Sequence, residues 1–137
     1  MILADTSAWV EFDRASGSTA DHRIAELIST DGPLMFTEPV LMEVVAGARS
    51  DSREKDLRRL LLRFELAPFD AVSDFDAAAR IYLRCRKAGV TPRGMVDCLI
   101  AAVAHRRGLA LLAWDADMVR VAEVIGIELD EASLRAG

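Results

Sequence analysis

Five carboxylates stand apart from the other acids of this 137-residue chain. Asp5 follows the apolar run Met1-Ile2-Leu3-Ala4, and Asp115 and Asp117 follow Leu109-Ala110-Leu111-Leu112-Ala113-Trp114. Asp97 lies inside Met95-Val96-Asp97-Cys98-Leu99-Ile100-Ala101-Ala102, and on a helix it would share a face with Ile100, Ala101 and Ala104. Glu43, inside Val40-Leu41-Met42-Glu43-Val44-Val45-Ala46, has Val40, Ala46 and Gly47 as same-face neighbours. A lone carboxylate taken out of water must find a cation or strong donors, or else it holds its proton. Nothing near Glu43 in the sequence supplies either. Each acid alone reads as a turn, cap or boundary residue. If they converge on one cleft, three or four carboxylates without Cys or His ligands suit a hard divalent cation, Mg²⁺ or Mn²⁺. Such an ion activates water and neutralises charge on a phosphate, so the pattern points to phosphoryl chemistry.

The rest of the composition narrows what can assist them. There are 22 Asp+Glu against 17 Lys+Arg, a formal charge of −5, and the bases are 15 Arg and only 2 Lys. The chain contains no Asn and no Gln. A polar site must therefore use carboxylates, Arg, the two His, Ser/Thr and backbone, without side-chain amides to read bases or bind oxyanions. The negative total argues against binding RNA by bulk electrostatics and leaves that work to local patches. Arg93, one helical turn before Asp97, can neutralise that acid or meet a phosphate. Arg84, Arg86, Lys87, Arg106 and Arg107 close two helices, where cations favour the helix dipole. His22 and His105 have no nucleophile at a readable spacing and are expected on the surface. Cys85 and Cys98 lack partners at zinc-binding spacing and read as core residues of a reducing compartment.

The length is that of a single domain, taken as residues 1–137, large enough to bury a self-sufficient core. The longest apolar run, Cys98 to Ala104, has 7 residues, short of the ~18 of a membrane span, and no export leader is recognisable, so a cytoplasmic protein is expected. Short strands are expected at Met1-Ala4, Leu34-Phe36 and Leu109-Ala113. The intervening helices include Ala8 onward with Thr6 or Ser7 as cap, a stripe of Ile24, Leu27 and Ile28, and one capped by Thr37 that runs to about Gly47. Further helices open at Asp51 with Leu57, Leu60, Leu61 and Phe64 inward, at Ser73 through Gly89, at Met95 through Arg107, and at Met118 through Ile125 before a short tail. Strands alternating with helices argue for a parallel sheet covered on both faces, with ligands beyond the carboxyl ends of its strands.

Four blocks carry a family resemblance, in order and along nearly the whole chain. Leu3-Ala4-Asp5-Thr6-Ser7-Ala8, Glu38-Pro39-Val40-Leu41-Met42-Glu43, Asp97-Cys98-Leu99-Ile100-Ala101-Ala102 and Leu111-Leu112-Ala113-Trp114-Asp115-Ala116-Asp117 resemble the signature blocks of PIN-domain ribonucleases, more narrowly the VapC toxins of bacterial toxin–antitoxin pairs. The resemblance implies an α/β, PIN-like three-layer sandwich with a four- to five-stranded, mostly parallel sheet. It implies a Mg²⁺-dependent endoribonuclease, with Mn²⁺ as substitute, in which Asp5 and Asp97 are the principal metal ligands. Glu43 and Asp115 would bind directly or through water, Asp117 would be an accessory acid, and Ser7 would hold Asp5 or a water. Metal-activated water would cleave an RNA phosphodiester, leaving a 3′-hydroxyl and a 5′-phosphate. The implied partners are an RNA substrate such as transfer RNA, a cognate VapB-type antitoxin and a second copy of the chain. Trp9, Phe12 and the Leu57/Leu60/Leu61 stripe become candidates for the antitoxin groove.

Two departures matter: Ala113 stands where the family often has Thr, Ser or His, and Met118 where it often has Phe. The first leaves the relative roles of Asp115 and Asp117 open. Other readings fit less well. An aspartyl-phosphate phosphatase needs a second Asp where Ser7 stands, and a response-regulator receiver needs a late Lys, whereas none follows Lys87. A catalytically inactive interaction module of the same fold would have no need of the inward acids.

Overall fold

Three apolar triplets lie side by side as the centre of a sheet. The computed structural model describes residues 1–135, with strands β1 (Ile2–Ala4), β2 (Leu34–Phe36), β3 (Glu65–Leu66) and β4 (Ala110–Leu112). They form one parallel sheet in the order β3-β2-β1-β4. β1 and β2 are buried along their whole lengths, as befits parallel strands covered on both faces. The helices are α1 (Thr6–Asp13), α2 (Thr19–Ser29), α3 (Glu38–Ala46), α4 (Asp51–Leu61), α5 (Ala71–Lys87), α6 (Met95–Arg107) and α7 (Ala116–Ile125). Contacts divide them into a group of α1 to α4 and a group of α5 to α7, joined between α3 and α6. Crossovers from β1 to β2 to β3 run one way along the sheet and the return to β4 runs the other, so right-handed connections put the two groups on opposite faces. This is the expected three-layer α/β sandwich, with four strands. None of the described helices is long and apolar enough to cross a membrane.

The strand expected at Met1-Ala4 and the helix ends at Gly108 and Gly126 are where the sequence placed them, and both glycines adopt left-handed φ angles of 63° and 86°. Several start signals sit elsewhere. Asp5, not Thr6 or Ser7, caps α1; Ser50, not Asp51, caps α4; and Asp70, ahead of Ser73, caps α5. Each true cap precedes another residue able to do the same job, and sequence alone does not say which is pulled into extended geometry. β3 was not expected at all: two exposed residues are too few for a strand pattern, and pairing with β2 alone defines it. The segment read as a tail docks on the open edge of β4, where Leu111 N–H donates to Glu128 O and Asp130 N–H to Leu111 O, both at 2.8 Å.

Trp9, Leu57 and Leu61 are at most 2% exposed and belong to the core, which removes them as a ready partner surface. Phe12 and Leu60 are half-buried against it. Cys85 and Cys98 are free and buried, as expected, and both histidines are exposed.

Candidate active site

Each strand that ends in an acid hands it directly to a helix start. Asp5 ends β1, is held by its N–H donating to Leu112 O at 2.8 Å, and caps α1. Asp115 follows β4 and caps α7, its Oδ2 accepting from Met118 N–H at 3.1 Å. Glu43 comes from α3 and Asp97 from the first turn of α6. α3 and α6 approach from the two helical layers, so their acids meet only past the carboxyl edge of the sheet. There a cleft of about 580 Å³ is lined by Asp5, Glu43, Asp97 and Asp115 together. Thr6, Ser7, Glu11, Arg14, Arg93 and Trp114 share the lining.

Hydroxyl donors orient two of the four acids. Ser7 Oγ donates to Asp5 Oδ2 at 2.5 Å and accepts from Trp114 N–H at 2.8 Å, so one oxygen ties the first acid to the loop that carries Asp115. Thr6 Oγ1 donates to Glu43 Oε1 at 2.6 Å. The donor that Glu43 lacked in its own stretch of sequence is thus supplied from α1, 37 positions away. Arg93 is 72% exposed, and its guanidinium stands 3.8 Å from Asp115 Oδ1, a loose pairing with room for another anion.

The carboxylates of Asp5 and Asp97 are left short of partners. Asp5 is 3% exposed and its Oδ1 has no hydrogen-bond partner; Asp97 Oδ2 is likewise buried and bare. Burial pushes Asp5 up from 3.8 to about 6, against the lowering by Ser7 and helped by the charges of Glu43 and Asp115. Burial pushes Asp97 up to about 7, and the charges of Asp5, Asp115 and Glu43 add to it while Arg93 partly offsets them.

Other acids that the sequence reading left on the surface are also buried, and they clarify the contrast. Asp74 is fully buried, but Arg106 grips both its oxygens at 2.9 and 2.8 Å, and Asp70 N–H donates to it at 2.8 Å. Burial pushes the Asp74 carboxyl up, yet those bonds outweigh it and hold it below the usual range. Asp130 is 8% exposed and takes Arg23 at 3.2 Å. Arg106, read as helix-end charge, therefore clamps α6 to α5. Burial alone does not mark the site; buried carboxylate oxygens without a cation do.

Asp117 sits in the first turn of α7, 3.2 Å from Arg120, and does not line the cleft. The hydroxyl missing at Ala113 has a counterpart from the chain end: Ser133 Oγ accepts from Ala113 N–H and donates to Leu111 O, both at 3.1 Å. The cleft residues the sequence reading did not single out are Glu11, Arg14 and Trp114, and Thr6 was read there only as a cap. Glu11 and Arg14 carry no local signal, being polar residues at the end of a short helix.

Among the described residues, no three His, Cys, Asp or Glu side chains form a ready-made metal cage. A small hard dication does not need one, since it keeps several waters and takes one or two carboxylates plus substrate phosphate oxygens. The bare oxygens of Asp5 and Asp97, on carboxyls raised first by burial and then by neighbouring acids, are all-oxygen in chemistry and fit such an ion.

Known proteins resemble this chain in sequence and in fold. The family model for the PIN domain matches residues 2–124. Ribonuclease VapC11 of Mycobacterium tuberculosis is 41% identical over 129 residues, which span 93% of this chain and 96% of that protein. Among solved structures, DNA-bound VapBC from Salmonella typhimurium superposes with a TM-score of 0.69 at 22% identity, covering 94% of this chain and 96% of that one. VapC20 of Mycobacterium tuberculosis, a sarcin-ricin loop cleaving toxin, superposes with a TM-score of 0.69 at 20% identity, covering 87% and 93%. The structural likeness speaks for the fold; the family-model match and the identity over nearly all of both chains go further, and by them this chain belongs to the PIN-domain family, among the VapC ribonucleases.

Proposed function

We propose that this protein is a divalent-cation-dependent endoribonuclease, the toxin of a toxin–antitoxin pair, with Mg²⁺ as the working ion and Mn²⁺ as its substitute. The observation that carries the reading is the pair of bare, buried carboxylate oxygens on Asp5 and Asp97, two residues that line one cleft with Glu43 and Asp115. Asp5 and Asp97 hold the ion, and Glu43 and Asp115 complete its surroundings directly or through water. Asp117, turned toward Arg120, adds negative field from the neighbouring turn. A bound dication supplies a nucleophilic water at neutral pH and charge neutralisation on the phosphate under attack. Thr6 fixes the rotamer of Glu43, and Ser7 engages one Asp5 oxygen and leaves the other without a partner. Arg93, loosely paired and exposed, meets a phosphate oxygen of the substrate.

The substrate class is RNA, with transfer RNA the first to test. The partners are a cognate VapB-type antitoxin, as in the VapBC complexes this fold resembles, and a second copy of the chain. The test compares the wild-type chain with Asp5→Asn and Asp97→Asn for RNA cleavage in Mg²⁺ and in EDTA, and for growth after induction. Cleavage and growth arrest are expected from the wild type in Mg²⁺ alone. Equal toxicity of wild type and both variants would sink the assignment and leave an interaction module of this fold.

A further inference from the structure

Six of the 15 guanidinium groups in this chain are closely paired. Arg23, Arg53, Arg58, Arg80, Arg106 and Arg120 each lie within 3.2 Å of a carboxylate. Arg14 caps the C-terminal end of α1 and lines the cleft, yet its side chain has no ion pair or hydrogen bond among the described residues. Its two neighbouring acids are engaged elsewhere. Glu11, one turn back, accepts from Ser16 Oγ at 2.8 Å. Asp13 takes Arg53 at 2.6 Å and Arg49 at 3.5 Å. An unpaired guanidinium thus faces a cleft whose lining otherwise offers five acids and Arg93 as the other cation.

Position separates the two arginines. Arg93 is beside Asp115, at the acids. Arg14 follows Thr6 by eight residues on one helix, which at ~1.5 Å per residue places it about 12 Å further along the axis. Helical side chains lean back toward the helix start, which shortens that distance and leaves Arg14 within the course of a strand lying in the cleft. The cleft, about 580 Å³, is the size of an ordinary small-ligand pocket and accommodates a short piece of one strand. With no Asn or Gln in the chain, a planar, multi-donor grip on phosphate has to come from Arg.

We propose that Arg14 is a positioning residue that grips a backbone phosphate of single-stranded RNA flanking the phosphodiester held at the acids. This rests on the nuclease reading above. Arg14 sets where the strand lies and takes no part in bond breaking, so its loss acts on binding.

The test measures binding of a fluorescein-labelled single-stranded RNA oligonucleotide by anisotropy across a salt series, with Ca²⁺ in place of Mg²⁺ to hold back cleavage, for the wild type, Arg14→Ala and Arg14→Lys. One lost phosphate contact should flatten the slope of log affinity against log salt by about 0.7. Cleavage in Mg²⁺ should show KM raised about fivefold with kcat within about twofold, a modest change because the guanidinium is exposed. Arg14→Lys should restore most of the slope, and melting temperatures should agree. Unchanged slope and KM in Arg14→Ala, with a wild type that binds and cleaves, would overturn the role of Arg14 alone. A fall in kcat at constant KM would overturn it as a positioning role. A wild type that neither binds nor cleaves RNA would overturn both this inference and the proposed function.

Discussion

Asp97→Asn should make the metal-free protein more stable while abolishing its activity, and the gain should depend on pH in a defined direction. Asp97 ordinarily ionises at 3.8 but is raised to about 7 in the fold, by burial first and then by the charges of Asp5, Asp115 and Glu43. The unfolded chain gives up this proton near the ordinary value and the folded chain keeps it to neutrality. Between those values the folded state binds more protons, so the Asp97 contribution is fully present below about pH 4 and is lost as pH rises through about 7. The rise from 3.8 to about 7 corresponds to at most roughly 4 kcal/mol at about 1.4 kcal/mol per pH unit, and to about 3 kcal/mol after solvent screening, because Asp97 is only half-buried. An asparagine carries no such charge, but its NH₂ gives back about 1–3 kcal/mol if it finds no acceptor. The net gain at pH 8 is then about 1 kcal/mol, or roughly 4 °C in melting temperature for a chain of this length. Urea and thermal melts of both proteins in EDTA, from pH 4 to 8.5, read this difference, in which titrations away from the cleft cancel. A variant less stable by about 2 kcal/mol near pH 4, where only the amide cost remains, that crosses the wild type and is about 1 kcal/mol more stable at pH 8 is expected. Parallel curves across the range, or a less stable variant at pH 8, would refute the claim that Asp97 is an uncompensated buried charge.

Four further outcomes follow from the same geometry. Because the bare site holds protons that a cation must displace, apparent Mg²⁺ affinity should rise with pH up to about 7, where Asp97 titrates, with proton release seen by calorimetry in two buffers. At 100 times its Kd the ion should stabilise the wild type by about 2.7 kcal/mol and Asp97→Asn by much less. Ser7→Ala removes the hydroxyl donor to Asp5 and strands the Trp114 N–H; it should cost about 1–3 kcal/mol, more at pH 8 than at pH 4, where Asp5 is already protonated. Asp74→Ala leaves Arg106, whose side chain is 33% exposed, without its partner and should cost about 3 kcal/mol in urea denaturation, with cleavage intact once the variant is folded.

The four acids of the cleft were legible because each breaks a local rule. Asp97 and Glu43 interrupt apolar helix faces, and Asp5 and Asp115 end apolar runs. The same logic passed over Asp74 and Asp130, which lie on ordinary-looking polar stretches and are buried only because Arg106 and Arg23 reach them from other elements. It read Leu57 and Leu61 as inward, while the family resemblance made them, with Trp9, candidates for a partner groove; each is at the core. An amphipathic stripe looks the same whether another layer of the protein or a partner covers it. Asp117 shares a turn with Asp115 in sequence, yet rotation about the helix axis sends it toward Arg120.

What the sequence determined by itself was local: strand and helix alternation, the acid types, and the absence of amides, because these depend on neighbours a few residues away. What tertiary structure decided was which of those acids lack a counter-charge. Glu43 obtained a hydroxyl from Thr6, Asp74 a guanidinium from Arg106, and Asp5 and Asp97 were brought to one cleft with one oxygen each unsatisfied. Electrostatic partnership acts through space over a few ångströms, across residues that the chain keeps dozens of positions apart.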